Sequence, residues 1–251
     1  MKATFPASDI ANFKTIVLAT IGTLVLVFAR VDRWWAPALA VLRGGVQLAV
    51  LSVVLTEAIS DPLWVSVALA VMFVVASLTS ARRVVWSWRR YAMIAGGMFV
   101  GVSTSLAVIF VTGAVEFAPR YVLALGGILI GGSMTIATLT IRRLFQSIAD
   151  RWDEVEAWFA LGASPRQATA EITRNSVREA LVPATDQTKT VGLVTLPGAF
   201  IGAIFGGLDP IAAGRFQIVV LAGILATAAM TSVIIARSLS PVSQRPLEAG
   251  G

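Results

Sequence analysis

The sequence predicts an all-α, polytopic membrane protein of about seven transmembrane helices, with one long helical segment on the cytoplasmic side. Hydrophobic residues make up 57% of the 251 residues and charged residues only 14%, whereas a soluble domain carries roughly 25% charged residues. The apolar residues also come in blocks of about 17 to 22, the length that crosses ~30 Å of hydrocarbon as a helix. The seven blocks are residues 13–29, 36–56, 63–80, 92–112, 122–141, 190–206 and 216–236.

The basic residues alternate between loops, and this alternation predicts the orientation of the chain. Arginines follow the first, third, fifth and last blocks, whereas the loops after the second, fourth and sixth blocks contain at most one. Because basic loops stay in the cytoplasm, we expect a multi-pass plasma-membrane protein with its N-terminus outside and its C-terminus inside. The first block lacks the basic cluster and small-residue cleavage site of a signal peptide, so we count it as a span. This topology accounts for the net charge of +6, and no nucleic-acid partner is expected.

Several kinds of chemistry are excluded by residues that the sequence lacks. It contains no cysteine and no histidine, which excludes disulfides, thiolate or imidazole metal sites, and Cys- or His-based nucleophilic machinery. No Gly-x-x-x-x-Gly-Lys-Ser/Thr loop for ATP phosphates occurs, and the blocks contain no paired carboxylates. We therefore expect no enzyme activity, no catalytic residue and no cofactor on this chain. The sequence does not indicate which residues would bind a metal.

Two polar residues of the second block are candidates for a substrate pathway. Arg43 and Gln47 are one helical turn apart, and an arginine inside a membrane helix is costly enough to suggest a function. The alternative is that Arg43, about seven residues and ~10 Å from the inner end of its block, extends to the cytoplasmic interface. Gln217, near the outer end of the last block, is a similar candidate.

The fifth and sixth blocks combine small, hydroxylated and helix-breaking residues. The fifth contains Gly-Gly-Ser-Met-Thr at 131–135, and Leu-Pro-Gly at 196–198 interrupts the sixth. A Pro-Gly break frees backbone carbonyls, which membranes tolerate where they line a cavity or a hinge. Helix packing is the alternative to a pathway. The pathway candidates in these two blocks are Ser133, Thr135, Pro197 and Gly198.

Glycines also recur four residues apart, a spacing that lets membrane helices approach closely. We expect these glycines to pack helices together, within the chain or between two copies, rather than to contact substrate. They are Gly97 with Gly101, Gly127 with Gly131, and the series Gly198, Gly202 and Gly206.

The connection between the fifth and sixth blocks, about 142–189, is far longer than the others and predicts two helices. Residues 151–161 have an amphipathic pattern, and Gly162 stands where a glycine ends a helix. The run Ser-Pro-Arg-Gln at 164–167 then predicts a helix start, with a serine N-cap, a proline in the first position and a capping box.

The second of these helices is expected to end near Val182, because Pro183 would end or bend it. One interpretation is that the helix pair protrudes and docks a cytoplasmic protein, with Trp158 and Phe159 as aromatic anchors. The alternative is an interfacial helix whose aromatic residues, Trp152 among them, lie in the lipid headgroup layer.

Several runs of the sequence together resemble the FetB-type permease family. Members of that family are membrane subunits of an ABC transporter associated with bacterial iron export, and plant members are associated with aluminium tolerance. The resemblance covers most of the chain and is densest from about 116 to 236. The runs that carry it are 161–168 (LGASPRQA), 175–183 (NSVREALVP), Asp186, 189–198 (KTVGLVTLPG), 207–210 (GLDP) and 216–218 (FQI), extended by Arg43, 47–48 and 116–119.

The resemblance implies a single permease domain over residues 1–251, located in the bacterial inner membrane. It also implies an exporter of iron or of another metal or metal complex, built from a permease homodimer and two copies of a separate ATP-binding subunit. In such a transporter the cytoplasmic segment couples the permease to the ATPase. The residues to which the resemblance assigns this coupling are Glu154, Glu156, Ala157, Trp158, Gly162, Ala163, Ser164 and Pro165.

Two departures from the family pattern leave the transported substrate open. Gly-Ser at 132–133 stands where Gly-Asn is common, and Ala-Phe at 199–200 replaces a methionine pair. Without histidine or cysteine a bare soft-metal site is hard to build, whereas a hard ion with oxygen ligands or a chelated metal is compatible with the sequence. The alternatives are an organic or sugar-nucleotide substrate, an importer permease, and a membrane scaffold without transport activity.

Overall fold

The computed structural model describes residues 8–58, 61–82 and 87–245, and the regular structure within these ranges is helical apart from one isolated bridge between Val191 and Thr195. The chain divides into two compact units, Met1–Ile59 and Ser60–Gly251. The helices are α1 (Ser8–Phe28), α2 (Ala36–Ala58), α3 (Pro62–Arg82), α4 (Trp88–Val111), α5 (Pro119–Asp150), α6 (Trp152–Ala160), α7 (Pro165–Ala168), α8 (Ala170–Thr190), α9 (Gly198–Phe205) and α10 (Pro210–Leu239).

The first unit contains a pair of apolar helices, α1 and α2, joined by a short turn. Two arginines of this turn, Arg30 and Arg33, have positive φ values of 51° and 59°. A cleft of about 810 Å³ lies between the two helices and is lined by aliphatic and small side chains, with the hydroxyl groups of Thr20 and Thr23 among them. The predicted blocks 13–29 and 36–56 are thus helical. For some residues of each block the structure describes the backbone but not the side chain.

Among its described residues, the second unit contains four helices that are long and apolar enough to cross a membrane: α3, α4, α5 and α10. They correspond to the predicted blocks 63–80, 92–112, 122–141 and 216–236, and those predictions are confirmed. Their contacts with one another bury the main core, in which Ile94, Met98, Leu125, Leu129, Ile141 and Ile235 are fully enclosed.

Close packing between α4 and α10 depends on the predicted glycine pair Gly97 and Gly101. A methyl group on Gly97 would lie 2.7 Å from Ile235, and one on Gly101 would overlap the Thr231 side chain. Hydroxyl groups join the same two helices, since Thr227 Oγ1 lies 2.8 Å from Ser105 Oγ. The packing role predicted for this pair is therefore confirmed within the chain. By contrast, Gly131, Gly198 and Gly202 face open space among the described residues.

The segment between the fifth and sixth blocks differs from its prediction in one helix. The helix predicted over residues 151–161 is present as α6, Trp152–Ala160, and it ends before Gly162. By contrast, α8 does not end near Val182 and continues through Pro183 to Thr190. Nor does α8 protrude, because its buried face packs lengthwise on α5 and α10. This packing compensates for the loss of one backbone hydrogen bond, since Pro183 has no N–H group to donate.

The predicted sixth span, 190–206, is not one continuous helix. Residues 191–197 are irregular, and α9 has only eight residues, or about 12 Å of helix. The interruption predicted at Pro197 and Gly198 is confirmed, because Pro197 caps α9 and Gly198 begins it. A count of seven spans stays a prediction.

Candidate functional site

The most strongly organised polar feature outside the apolar spans is the helix–turn–helix formed by α6 and α7. It follows directly from α5, whose 32 residues extend for about 48 Å, well beyond the ~30 Å of a hydrocarbon layer. Trp152 and Val155 of α6 are buried in the same core as Ile148 of α5. The short helix is therefore fixed to the end of a span and does not hang on a flexible linker.

Side-chain bonds around Arg151 connect α6 to the start of α8. The Arg151 guanidinium donates two hydrogen bonds of 2.8 Å to the Glu154 carboxylate and lies 3.4 Å from Glu171 Oε1. Its hydrogen bonds to Glu154 are the main cause that raises the pKa of Arg151 above its ordinary value. Trp152 Nε1 donates to Glu156 Oε1 at 2.7 Å, which orients the indole. Of the predicted coupling residues, Glu154 thus takes part in the link to α8, and Glu156 orients Trp152 within α6.

The turn between α6 and α7 is rigid for reasons that lie in its local sequence. Gly162 has φ +84°, and Ala163 N donates to Trp158 O at 3.0 Å, the closing bond of a glycine-terminated helix. Ser164 and Gln167 form the predicted capping box, and Pro165 occupies the first turn of α7. Each local prediction for this turn is confirmed.

An exposed ridge formed by α6 and Leu161, the residue that caps it, faces away from the rest of the second unit. We call it the coupling ridge and define it by Glu156, Ala157, Trp158 and Leu161. The Trp158 residue is 47% exposed and Leu161 is 80% exposed. Phe159, the second predicted anchor, instead packs on Trp152 with 6.3 Å between ring centroids. Trp158 and Leu161 are therefore the large apolar groups that this ridge offers to a partner.

Most of the arginines that the structure describes in the second unit lie at the same end as the coupling ridge, Arg120 and Arg215 being exceptions. Arg90 at the start of α4 lies over the ring of Phe145 on α5, 5.8 Å from its centroid. A cavity of about 250 Å³ is lined by Arg89, Phe145 and Leu239. The start of α4 therefore lies beside the ends of α5 and α10. Arg245 also donates to Ala149 O at 3.2 Å there. We refer to this as the basic end of the unit.

The predicted pathway residues lie in both units and differ in their exposure. Arg43 and Gln47 are exposed on α2 in the first unit, and Pro197 and Gly198 lie at the start of α9. Ser133 is fully buried and donates to Ile130 O at 2.8 Å, whereas Thr135, two residues along α5, is exposed.

Gln217 differs from the other pathway candidates because it is both buried and unsatisfied. Its side-chain Oε1 has no hydrogen-bond partner in the part of the chain that the structure describes. Within that part, no three acidic, histidine or cysteine side chains gather as a metal site.

One polar pair that the sequence analysis does not select lies near the end of α8. Asp186 Oδ1 and Lys189 Nζ are 3.3 Å apart, on a helix that packs along two apolar spans. The sequence does carry a signal for it, since an acid and a base three residues apart directly precede an apolar block.

Comparison with known proteins places the chain in a family. The family model described as Uncharacterised protein family (UPF0014) matches residues 11–241. The chain belongs to the UPF0014 family. The resemblance noted from the sequence is thereby confirmed, because a FetB protein is among the relatives that match.

Three relatives illustrate the range of the UPF0014 family. The "Probable iron export permease protein FetB" of Escherichia coli (strain K12) is 39% identical over 135 residues, which cover 54% of this chain and 52% of FetB. The UPF0014 membrane protein YjkA of Bacillus subtilis (strain 168) is 32% identical, with 78% and 80% covered. The UPF0014 membrane protein STAR2 of Oryza sativa subsp. japonica is 34% identical, with 78% and 69% covered. No solved structure matches the chain.

The alignment thus spans about half the length of the FetB relative, and longer shares of the other two. The UPF0014 match itself includes α6, α7 and α8 together with the apolar spans. This UPF0014 protein is therefore a multi-pass membrane protein whose basic end carries a rigid, partly apolar ridge.

Proposed function

We propose that this UPF0014 protein is the permease subunit of an ABC transporter that exports iron, or another metal or metal complex, and is driven by a separate ATP-binding subunit. The coupling ridge is the observation that carries the proposal. The E. coli relative named as a probable iron export permease supports the direction and the substrate class. The absence of an ATP-binding loop from the sequence supports the division between two kinds of subunit.

The contacts of the ridge make it suitable for transmitting movement. α6 is joined to α5 through buried side chains and to α8 through the Arg151–Glu171 pair. At the start of α8, Thr169 Oγ1 donates to Ser240 O at the end of α10, at 3.0 Å. A partner that displaces α6 would therefore move three helices of the second unit together. Transport cycles depend on rigid-body motions of this kind.

The distribution of charge supports a cytoplasmic location for the ridge. Arginines cluster at the end of the unit where α6 and α7 lie, and basic residues favour the cytoplasmic side. We therefore place the N-terminus outside and the C-terminus inside, in the inner membrane. The functional permease is a homodimer, and the coupling segment of about 142–189 belongs to its single domain of residues 1–251. No cofactor is required on this chain.

The proposal is tested by capture of the ATPase from native membranes. We expect the tagged chain, purified from its host, to bring with it an ATP-binding subunit that mass spectrometry identifies by its P-loop sequence. Leu161→Asp places a charge in the apolar centre of the ridge and should reduce the captured ATPase by at least about tenfold, since a buried unpaired charge at an interface costs several kcal/mol.

The matched control is Val111→Asp. Val111 is 87% exposed at the end of α4, so it resembles Leu161 in exposure but lies far from the ridge. Capture should be unchanged by this substitution. If no P-loop ATPase is captured by the unmodified chain, or if both variants lose it equally, the chain is not the permease of an ABC transporter that docks through this ridge.

A further inference from the structure

The last turn of α8 is polar, although α8 packs between apolar spans. Asp186 and Lys189 form an ion pair of 3.3 Å, with 61% and 69% of their side chains exposed. Thr190, four residues after Asp186 and so on the same face of the helix, ends α8. Its hydroxyl lies 3.1 Å from both Asp186 O and Gln187 O. We call Asp186, Lys189 and Thr190 the polar end of α8.

Contacts along α8 fix the direction in which it runs. Its start is at the basic end, where Thr169 bonds to Ser240. Further along, Ala180 is buried against Ile136 of α5 and Ala228 of α10, both in the interior of long apolar helices. α8 therefore runs from the basic end toward the opposite end of the unit, antiparallel to α5 and α10.

Helix geometry places the polar end at membrane depth. Asp186 and Lys189 follow Ala180 by six to nine residues, which is roughly 9 to 14 Å along the axis. That brings them level with about residues 127–130 of α5. The apolar stretch of α5 between Arg120 and Arg142 is about 22 residues or ~33 Å long, so the pair lies near its midpoint.

The backbone after the polar end is also unsatisfied. The carbonyls of Gly192, Leu193 and Val194 accept no hydrogen bond among the residues that the structure describes. Leu193 is 91% exposed, so the chain itself does not cover this segment. Irregular backbone at membrane depth is tolerated where it is covered by protein or lines a water-filled cavity. Together with the ion pair, it indicates a polar site in the membrane interior.

The chemistry of the polar end favours a hard cation. Its ligating atoms are oxygens, namely the Asp186 carboxylate, the Thr190 hydroxyl and the free carbonyls, and oxygens are what hard metal ions prefer. The C-terminal end of a helix is also the negative end of its dipole, which attracts positive charge. In the structure, the Lys189 ammonium is the cation that occupies this position.

We propose that Asp186 and Thr190 bind a hard metal cation midway through the membrane, in exchange for the Lys189 ammonium. The inference rests on the proposed metal transport, for which it names the site. Lys189 neutralises the carboxylate while no metal is bound, and it moves away when the metal binds. The irregular segment 191–197 supplies carbonyl oxygens and lets α8 and α9 move separately.

Metal binding to the purified chain in lipid nanodiscs tests this site without any ATPase. Mn²⁺, a hard cation, is titrated while the electron paramagnetic resonance signal of the free ion reports binding. Asp186→Asn removes a direct ligand and should weaken binding by at least about tenfold. Lys189→Met removes the competing cation and should tighten binding. Opposite effects are expected because Lys189 competes with the metal for Asp186, whereas loss of a purely structural ion pair would have the same effect in both variants.

Two further variants complete the test. Glu179→Gln removes a carboxylate of the same helix that pairs with Arg143 at 3.8 Å, and it should leave Mn²⁺ binding unchanged. The double variant Asp186→Asn with Lys189→Met keeps the site neutral and should fold but bind weakly. Absence of Mn²⁺ binding by the unmodified chain, or shifts of the same sign at Asp186 and Lys189, overturns the site. ATPase capture then decides separately whether the proposed transporter stands.

Discussion

Gly101 shows how a single missing side chain sets the distance between two spans. Its Cα lies against α10, where a methyl group would overlap the Thr231 side chain and stand 3.0 Å from Thr227 O. Gly101→Ala should therefore separate α4 from α10 and reduce the free energy of unfolding by about 1 to 3 kcal/mol, the usual cost of overpacking. Thermal unfolding in nanodiscs, followed by intrinsic tryptophan fluorescence, measures this effect.

A second glycine on the same helix provides the control. A methyl group added to Gly96 would meet nothing within 4 Å among the described residues. Gly96→Ala should leave stability unchanged or raise it by up to about 1 kcal/mol, because alanine is the better helix former. Equal losses at Gly96 and Gly101 would show that close packing is not what the predicted glycine pair provides.

The α6–α7 element depends on the backbone conformation of Gly162. An alanine at φ +84° costs about 1 to 2 kcal/mol, and relief of that strain would shift α7 relative to the coupling ridge. We expect Gly162→Ala to lower both stability and the ATP hydrolysis that the permease stimulates in its captured ATPase. Calorimetry and a steady-state ATPase assay on the complex measure the two effects.

Gly113, which lies between α4 and α5, provides the control for the effect of backbone strain alone. Its φ is +69° and nothing surrounds it within 4 Å in the described part of the chain, so Gly113→Ala carries a comparable cost. It should destabilise the protein similarly but leave stimulated ATP hydrolysis intact. If Gly113→Ala reduces hydrolysis as strongly, the effect at Gly162 reflects general destabilisation and not coupling.

The same element explains which parts of the fold are predictable from sequence. The caps at Gly162 and Ser164 are local, since each is satisfied by atoms within six residues, and a local pattern predicts them well. The long spans are predictable because a run of about 20 apolar residues is what a helix needs to cross a membrane, and buried helices of soluble proteins have shorter runs. The path of α8 is not predictable in this way, because its sequence is polar while its burial depends on α5 and α10.

Pro183 illustrates the same limit. A proline inside a helix predicts an end or a kink, yet α8 continues for seven residues beyond it to Thr190. Packing on two neighbouring spans decides the outcome, and that packing involves residues more than forty positions away in the chain, such as Ile136 and Ala228. The position of the Asp186–Lys189 pair along those spans likewise follows from packing and not from the sequence of α8 alone.

At the scale of the whole molecule, the natural absence of cysteine allows its orientation to be measured directly. Single cysteines can be introduced without removing any native one. Leu161→Cys lies on the coupling ridge at the basic end, and Ile211→Cys lies at the start of α10 at the opposite end; both residues are well exposed. If basic residues mark the cytoplasmic side, a membrane-impermeant maleimide should label Ile211→Cys in intact cells and Leu161→Cys only after lysis.

Val194→Cys extends this measurement into the membrane. Val194 is exposed in the irregular segment after α8, and a thiol reacts with maleimide only as a hydrated thiolate. Labelling at this position indicates that water reaches the polar end of α8, as a transport site requires, and bound Mn²⁺ should slow it. A Val194→Cys thiol that stays unreactive in every state would mean that lipid or protein seals the segment, and the metal would then have to cross elsewhere. Labelling of Leu161→Cys from outside would invert the topology and place the ridge where no ATPase could reach it.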